Sequence, residues 1–349
     1  MKPVRDVFGR YNGAEVLRHT LRHRDGGIEV AVIDYGARIQ SILVPDAHGT
    51  MRETTLGFDS LDGYLGDHDY LGATIGRCAN RIASGRFNRG GRRHRLTVNN
   101  GPHHLHGGTV GFDQLLWHLE RRESPPGGDS ITFTLESPDG DQGYPGTLNA
   151  EVTCTIVDGE TLMIEYRART SEPTPVNLTN HAYWNLHDSH DTAILDHELT
   201  LSCPGFLPVD DTLIPLGTVV AVDDTPMDFR SPRGIGDRMD RVHGGYDHCY
   251  VARDGCEAIE EPVHIATVRN PRNGRVLSMA TTKPAVQFYT GNFLRDLPGR
   301  TGIVYQQYAG LCLEPQYPPN AVNAAYCPEI ILEPGREYRH RTVYTFSIQ

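Results

Sequence analysis

The sequence has very little lysine. Lys2 and Lys283 are its two lysines, against 31 arginines, and neither lysine follows a glycine. A phosphate-binding loop that ends in Gly-Lys-Ser/Thr is therefore excluded, and with it that way of binding ATP. Two lysines also leave few candidates for Schiff-base chemistry. The formal net charge is −11, which argues against nucleic acid or an anionic membrane as a partner because both need a basic face.

Long apolar runs are also missing. No run of 18 apolar residues occurs, and residues 1–6 (MKPVRD) do not resemble the apolar core of a secretory signal. The seven cysteines are an odd number and include no Cys-x-x-Cys pair. Free thiols are typical of a reducing compartment, so we expect a cytoplasmic protein.

Two catalytic motifs are absent or incomplete. No Gly-x-Ser-x-Gly sequence occurs, so the segment 106–108 (HGG) has no serine nucleophile beside it, and a lipase-type hydrolase is disfavoured. The densest histidine cluster is 103–106 (HHLH), but Thr109 and Val110 stand where a cupin-like metal site would have its glutamate. We expect neither a metal nor any other cofactor.

The sequence is rich in turn residues and in alternating apolar patterns. It contains 37 Gly and 23 Pro, and no stretch has a sustained 3.6-residue apolar stripe. Alternation and other strand signals cover the segments 28–44, 131–135, 148–156, 162–168, 263–276 and 338–348. We predict an all-β protein built as a large antiparallel sandwich or barrel-like assembly, with a surface loop over 121–130 and a long irregular region over 204–243.

Polar and aromatic residues concentrate in five short segments. These are 76–82 (GRCANRI), 103–108 (HHLHGG), 177–186 (NLTNHAYWNL), 245–250 (GYDHCY) and 311–316 (LCLEPQ). Carbohydrate sites combine flat aromatic faces with Asn, Asp, Arg and His side chains that bind hydroxyl groups. The five segments contain that set, so we interpret them as parts of a sugar-binding site.

The last of these segments has the two-residue period of a strand. Leu311 and Leu313 fall on one face, and Cys312 and Glu314 fall on the other. If the leucines point into the core, Glu314 points into solvent or into a polar pocket on the opposite face. His181 is similarly open to two interpretations, as a buried hydrogen-bonding residue or as a catalytic group.

The other candidates also have structural interpretations. Arg81 suits a salt bridge at a strand end, and Asp247 suits a turn after Gly244-Gly245. Tyr183 and Trp184 suit a hydrophobic core. Residue types alone leave both interpretations open.

Several segments taken together resemble the aldose 1-epimerase (galactose mutarotase) family. They occur in the family's order, and the similarity runs from about residue 20 to the C-terminus. The segments are 58–64 (FDSLDGY), 72–77 (GATIGR), 79–82 (ANRI), 104–108 (HLHGG), 177–186 (NLTNHAYWNL) and 287–292 (QFYTGN).

The resemblance implies one domain over residues 1–349, folded as a large antiparallel β supersandwich of the galactose mutarotase-like kind with an open cleft. It implies that Glu314, in a Leu-Glu-x-Gln strand, is the base and that His181, in Asn-His-x-Tyr, is the acid. By the same motifs, the sugar is bound by Asn80, Arg81, His106, Tyr183, Asp247 and Gln287. Asn320 stands where the family commonly has aspartate and Trp184 where phenylalanine is usual, so both bear on sugar preference.

The implied activity interconverts the α and β anomers of free aldohexoses such as galactose and glucose by acid/base ring opening and closure. We expect an ionised Glu314 and a His181 that its surroundings hold protonated. The partner is a small monosaccharide, and the chain is a monomer or a homodimer. One alternative is a hexose-6-phosphate 1-epimerase that uses arginines such as Arg92-Arg93 or the cluster 269–275. Another is a non-catalytic sugar-binding module.

Overall fold

The computed structural model describes residues 4–66, 69–124, 127–253, 259–324 and 330–349. Cys256 and Cys327 lie outside these ranges, and the other five cysteines are free and buried. Within these ranges, no helix is both long enough and apolar enough to cross a membrane.

Strands make up most of the regular structure. The first fifteen are β1 (Val4–Tyr11), β2 (Ala14–Arg22), β3 (Glu29–Ile33), β4 (Arg38–Pro45), β5 (Met51–Glu53), β6 (Thr74–Ile75), β7 (Arg81–Ile82), β8 (Arg86–Arg89), β9 (Arg92–Arg95), β10 (His104–Leu105), β11 (His118–Glu123), β12 (Ser130–Ser137), β13 (Leu148–Asp158), β14 (Thr161–Thr170) and β15 (Thr174–Pro175). The others are β16 (Thr179–Asn180), β17 (Tyr183–Trp184), β18 (Glu198–Leu201), β19 (Gly205–Leu207), β20 (Val220–Ala221), β21 (Arg233–Gly234), β22 (Asp247–Val251), β23 (Val263–Arg269), β24 (Arg275–Thr281), β25 (Ala285–Tyr289), β26 (Leu297–Pro298), β27 (Val304–Tyr305), β28 (Leu311–Gln316), β29 (Ile331–Leu332) and β30 (Tyr338–Ile348).

Helices are short in the described part of the chain. The α-helix α1 spans Leu61–Leu65. The 3₁₀ helices are Ala83–Gly85, Phe112–Gln114, Asp141–Gly143, Ile194–Asp196, Ile235–Arg241, Arg300–Gly302 and Ala321–Asn323. This confirms the expectation that no long amphipathic helix is present.

Three larger sheets organise the fold. Their strand orders are β1-β2-β3-β4-β5, β11-β12-β13-β14-β30-β24-β23-β18-β21 and β17-β28-β25-β22-β19-β20, and five two-stranded ribbons join them. The paired strands of the three sheets run antiparallel. The prediction of an all-β antiparallel architecture is confirmed.

The alternating segments form strands because one side of each is buried. In β13 and β14, every second side chain is buried, and the two strands pair from Leu148 opposite Thr170 to Asp158 opposite Thr161. The tight turn Asp158-Gly159 lets the chain reverse there. Burying apolar surface on this face stabilises the fold by about 25 cal/mol for each Å². This burial is the main force that holds the layers together.

The strand β28 is buried on both faces, and its two faces differ in chemistry. Leu311 and Leu313 join the main apolar cluster, which also contains Tyr344 and Phe346 of β30. The six-stranded sheet therefore packs against the nine-stranded sheet through this face. The opposite face of β28 carries Glu314 into a polar cavity, which settles the two interpretations of its position.

Two predicted loops are shorter than expected. In the segment 121–130, β11 continues to Glu123 and β12 begins at Ser130. In the segment 204–243, the chain forms β19, β20 and β21 as well as the 3₁₀ helix Ile235–Arg241. β11 and β20 are edge strands with mostly exposed side chains. They therefore lack the apolar alternation by which a strand is recognised.

Candidate active site

A cavity of about 470 Å³ lies on the polar face of the six-stranded sheet. Seven of the eight predicted site residues line it, namely Asn80, Arg81, His106, His181, Tyr183, Asp247 and Glu314. The eighth, Gln287, is not part of the lining and donates a hydrogen bond from Nε2 to Asp247 Oδ1 at 2.6 Å. The structure thus gathers segments that are more than 230 residues apart in the sequence.

One half of the site is built on adjacent strands. Tyr183 lies on β17, Glu314 on β28, Gln287 on β25 and Asp247 at the start of β22, which is the order of these strands in the sheet. Gln287 is directly opposite Glu314 in the antiparallel register. Hydrogen bonds from neighbours on both sides hold the β28 backbone, so the carboxyl group of Glu314 starts from a rigid base.

The other half is built on a tight two-strand ribbon. Arg81 of β7 pairs with Leu105 of β10. Asn80 and His106, at the ends of these strands, have φ values of +62° and +49°. Next to them Gly107 has a φ of +95°, and a Cβ atom there would lie 1.7 Å from the carbonyl oxygen of Gly76. This close approach requires glycine.

A backbone amide sets the hydrogen positions on His106. The N–H of Asn80 donates to His106 Nδ1 at 3.1 Å, so the neutral ring carries its hydrogen on Nε2. Burial, and secondarily the neighbouring His181, lowers the pKa of His106 well below its usual value, so the neutral form prevails. His106 can therefore donate a hydrogen bond into the cavity from Nε2.

The other two histidines of the 103–106 cluster point to different partners. His103 Nε2 contacts Thr212 Oγ1 at 2.9 Å. His104 Nδ1 contacts the carbonyl oxygen of Thr97, and its Nε2 accepts from the hydroxyl of Tyr144, both at 2.7 Å. The three rings therefore do not converge on one point.

A different set of side chains comes close enough to hold a cation. One ligand atom each of His106, His181 and Glu314 lies within 4.8 Å of the others. A metal ion bound to His106 Nε2 would need a free lone pair on that nitrogen. The Asn80 amide works against this because it keeps the ring hydrogen on Nε2. The hydrogen-bond pattern suits hydroxyl groups better than a metal ion.

Glu314 and His181 face each other in the buried part of the cavity. Oε1 of Glu314 is 3.6 Å from Nε2 of His181, and their side chains are 2% and 5% exposed. Oε2 of Glu314 is buried and has no hydrogen-bond partner among the described residues. A buried carboxylate oxygen without a partner is costly, and a substrate hydroxyl would relieve that cost.

Burial sets the charge state of this pair. It lowers the pKa of His181 to about 3. Burial, and next the nearby Asp247, raises the pKa of Glu314 well above its usual value, while Arg81 opposes this shift. The surroundings of His181 thus disfavour the protonated ring, contrary to expectation. Burial therefore favours a neutral His181 beside a protonated Glu314 over the ion pair of the two.

Asp247 and Arg81 form the other charged part of the cavity. Burial raises the pKa of Asp247, whereas Arg81 and the hydrogen bond from Gln287 lower it. Arg81 is held by a hydrogen bond from its Nε to Asn100 Oδ1 at 3.1 Å. Its positive charge therefore favours the ionised forms of both Asp247 and Glu314.

Several cavity residues are not among the eight predicted site residues. The aromatic ones are Tyr70, Tyr289 and Phe293. The ring of Tyr70 lies 4.7 Å from that of His106 and 5.8 Å from that of His181, measured between centroids. Tyr183 stacks on His181 at 5.1 Å. Polar additions to the lining are Asp69, Asn100, His103, Asp211 and Thr212.

The two departures from the family pattern do not line the cavity. Trp184 is fully buried on the other side of the sheet, against Tyr344 and Phe346. Asn320 accepts hydrogen bonds at Oδ1 from the backbone N–H of Ala83, at 3.0 Å, and from Asn323. Both side chains therefore contribute to the structure that supports the cavity.

Comparison with known proteins shows similarity to aldose 1-epimerases over nearly the whole chain. A model of the aldose 1-epimerase family matches residues 18–345. Galactose mutarotase of Sus scrofa is 42% identical over 347 residues, which cover 99% of this chain and 98% of that protein. Aldose 1-epimerase of Escherichia coli (strain K12) is 36% identical, with 94% of each chain covered. A solved aldose epimerase homologue from C. elegans is 32% identical with a TM-score of 0.86, covering 95% of this chain and 99% of that one.

The antiparallel sandwich and its polar cavity define a galactose mutarotase-like β protein. The chain belongs to the aldose 1-epimerase family. The predicted family, fold class and mutarotase activity, which is an isomerisation, are confirmed. The roles of the individual site residues remain predictions.

Proposed function

We propose that this protein interconverts the α and β anomers of free aldohexoses, galactose and glucose among them, with Glu314 as the base and His181 as the acid. The observation that carries this proposal is the facing pair Glu314 and His181, 3.6 Å apart and buried at one end of the cavity. The names of the relatives support galactose as a substrate.

Ring opening needs two proton transfers. Glu314 removes the proton from the anomeric hydroxyl group, and His181 donates the proton on Nε2 to the ring oxygen. The C1–O5 bond breaks, C1 becomes an aldehyde carbon, and no net proton is gained or lost. After rotation about C1–C2, protonated Glu314 and neutral His181 reverse these transfers and the ring closes on the other face. Each positioned transfer is worth about 10²- to 10⁴-fold in rate.

The electrostatics of the pair fit the open-chain stage. When the ring has opened, Glu314 is protonated and His181 is neutral, and burial favours both of these forms. The ion pair that acts on the closed ring costs more in this buried site, so bound sugar hydroxyls and Arg81 must stabilise the carboxylate. The site therefore reduces the free-energy difference between the bound closed-ring sugar and its open-chain intermediate.

The remaining site residues bind the sugar. Neutral His106 donates from Nε2, and Arg81 donates from its guanidinium group. Asn80 accepts at Oδ1 from the Arg81 backbone at 2.8 Å, which leaves its NH₂ group for the substrate. Tyr183 provides an aromatic face. Asp247 accepts hydroxyl hydrogens, and Gln287, which donates to Asp247, binds the sugar beside it.

The charges of the cavity favour an unphosphorylated sugar. Among the described residues that line it, Arg81 is the only arginine or lysine, against the acidic Asp69, Asp211, Asp247 and Glu314. The arginines of the 269–275 cluster form ion pairs elsewhere, and Arg93 belongs to the small ribbon β8-β9. A phosphate group would meet net negative charge in this cavity.

The same proposal includes one domain over residues 1–349, a cytoplasmic location, and a monomer or homodimer that needs no metal or other cofactor. Support for one domain comes from a single apolar cluster that includes residues from Leu21 to Phe346. The five free, buried cysteines support a reducing compartment.

The first test follows the optical rotation of freshly dissolved α-D-galactose and α-D-glucose. The wild-type protein should accelerate the change at micromolar concentration, and Glu314→Gln should lose at least about 10²-fold in rate while still binding sugar in a calorimetric titration. Glu136→Gln, which alters an exposed glutamate on β12, is the matched control. Full activity of Glu314→Gln would refute the base assignment. Glucose 6-phosphate is the comparison substrate, and preference for it would overturn the choice of a free sugar.

The acid assignment has its own variant. His181→Asn should lower kcat by at least about 10²-fold and change KM much less, because the acid acts in the transition state. An unchanged kcat would move the acid role to His106, whose ring centroid is 5.3 Å from that of His181.

A further inference from the structure

The second ring nitrogen of His181 has a sulfur neighbour. Nδ1 lies 3.5 Å from Sγ of Cys312, within the range of a hydrogen bond to sulfur. Cys312 is fully buried and is two residues before Glu314 on the same face of β28. It is directly opposite Tyr183 in the register of β17 and β28. The base and this sulfur are therefore carried by one rigid strand.

The surroundings favour a hydrogen on Nδ1 of His181. Burial favours a protonated Glu314, whose Oε1 lies 3.6 Å from His181 Nε2, so Nε2 is the ring nitrogen placed to accept the carboxyl proton. Burial raises the pKa of the Cys312 thiol well above its usual value, so the sulfur stays in the S–H form. A thiol sulfur is a weak acceptor. The ring hydrogen then belongs on Nδ1, which faces this weak acceptor.

We propose that Cys312 is a positioning residue whose sulfur accepts a hydrogen bond from His181 Nδ1–H and thereby keeps the lone pair of Nε2 directed at Glu314 and the substrate. The proposal rests on the proposed acid role of His181. In the ring-opened stage, neutral His181 must accept a proton at Nε2, which requires the Nδ1–H tautomer. The sulfur acts through His181 and does not touch the reacting atoms.

The weakness of the sulfur acceptor has a chemical use. A carboxylate in this position would stabilise the charged imidazolium strongly and make it a poor donor to the weakly basic ring oxygen. A thiol orients the ring with little stabilisation of its charge. His181 is thereby kept in the correct tautomer and remains a strong proton donor once charged.

The tautomer can be read directly in the wild-type protein. Long-range ¹H–¹⁵N correlation spectra of protein labelled with ¹⁵N-histidine report which ring nitrogen carries hydrogen, and the His181 signal is the one that disappears in His181→Asn. We expect hydrogen on Nδ1. An Nε2–H ring in the wild type would overturn the proposal, whatever the variants do.

Three variants test the effect on catalysis. Cys312→Ala should lower kcat about 10-fold with KM within about twofold, because loss of a partner that orients a histidine typically costs 10- to 100-fold. Cys312→Ser, whose hydroxyl oxygen still accepts, should stay within about threefold of wild type. Cys154→Ala removes an equally buried thiol from β13 and should match wild type.

The outcomes separate this proposal from the assignment of His181. If His181→Asn is inactive and folded Cys312→Ala has wild-type kcat, the role of Cys312 is refuted and that of His181 stands. If His181→Asn keeps full kcat, the assignment of the acid itself fails. If Cys312→Ala does not fold, the tautomer of His181 in the wild type and the kcat of Cys312→Ser still test the role of Cys312.

Discussion

At the residue scale, the central feature is that burial opposes charge on both Glu314 and His181. Burial lowers the pKa of His181 to about 3 and raises that of Glu314. The singly protonated pair therefore persists from about pH 3 up to the raised pKa of Glu314. Below this window both groups are protonated, and above it both have lost the proton.

Trp184 and Asn320 should leave sugar preference unchanged when they are replaced by the residues common in the family. Trp184→Phe and Asn320→Asp are expected to keep the galactose-to-glucose ratio of kcat/KM within about twofold, because neither side chain lines the cavity. Polarimetry with both sugars measures the ratio. A larger change would mean that substitutions in the scaffold around the cavity alter how the sugar is bound. Replacing Trp184 also removes a buried indole N–H that lacks a hydrogen-bond partner among the described residues.

Residue types and order in the sequence predict most of the cavity lining but not its hydrogen bonds. The family motifs name Glu314 and His181, and both line the cavity. The same motifs predict Gln287 as a sugar contact, and in the structure it donates a hydrogen bond to Asp247, which lines the cavity. Tyr70 follows no motif, and its position depends on a φ of +62° that no local pattern predicts. Protonation also depends on burial, which the sequence does not show.

At the element scale, Asn177 ties the segment of the proposed acid, His181, to the strand of the proposed base, Glu314. Its Nδ2 donates to the carbonyl oxygen of Tyr317 at 3.1 Å, and its Oδ1 accepts from the Tyr317 N–H at 2.9 Å. Oδ1 also accepts from Nζ of the buried Lys283 at 3.2 Å. Tyr317 directly follows β28. The side chain of Asn177 thus pairs with a backbone as a neighbouring strand would.

Asn177→Ala should therefore weaken both the fold and the reaction. The loss of three buried hydrogen bonds, one of them from a charged group, is expected to cost about 3 kcal/mol in the free energy of unfolding. Urea unfolding measures this cost, with Asn149→Ala at an exposed position of β13 as control. We also expect a lower kcat at temperatures where the variant is folded. A variant as stable as the control would show that other contacts hold this junction.

Alternation predicts the long strands well and the short ones poorly. The segments 148–156 and 162–168 correspond to β13 and β14, and 338–348 corresponds to β30. Strands of two residues, such as β7 and β16, contain too few positions to show a period. These short strands carry Arg81 and Asn180. The alternating apolar pattern therefore does not predict the part of the site that is built on short strands.

At the scale of the whole molecule, buried neutral histidines dominate the response to acid. Burial lowers the pKa of nine described histidines, which are His19, His103, His104, His106, His181, His190, His197, His248 and His340. It raises the pKa of three described carboxyl groups, Asp34, Asp247 and Glu314. Below about pH 6.5 these histidines bind protons in the unfolded protein but stay neutral in the folded protein. The carboxyl groups oppose this trend but are fewer.

His19 offers a clean test of this balance. Its pKa is lowered to about 4, and neither ring nitrogen has a hydrogen-bond partner among the described residues. The free energy of unfolding of wild type should fall from pH 7.5 to 5.5, and His19→Leu should lose about 1.4 kcal/mol less over that range. Urea unfolding at the two pH values measures both slopes. His118→Leu, at an exposed histidine, should keep the wild-type slope. A slope for His19→Leu equal to that of wild type would contradict the account.

The division of the cavity between strands and loops bears on how new specificities could arise. The proposed proton-transfer pair is carried by regular backbone, because Glu314 lies on β28 and His181 directly follows β16. The segments 100–103 and 211–213 line the same cavity from irregular chain. Loops accept insertions and substitutions that a central strand would not tolerate. Exchange of these two segments would therefore change which sugars enter while the chemistry is inherited intact, which makes this scaffold well suited to directed evolution.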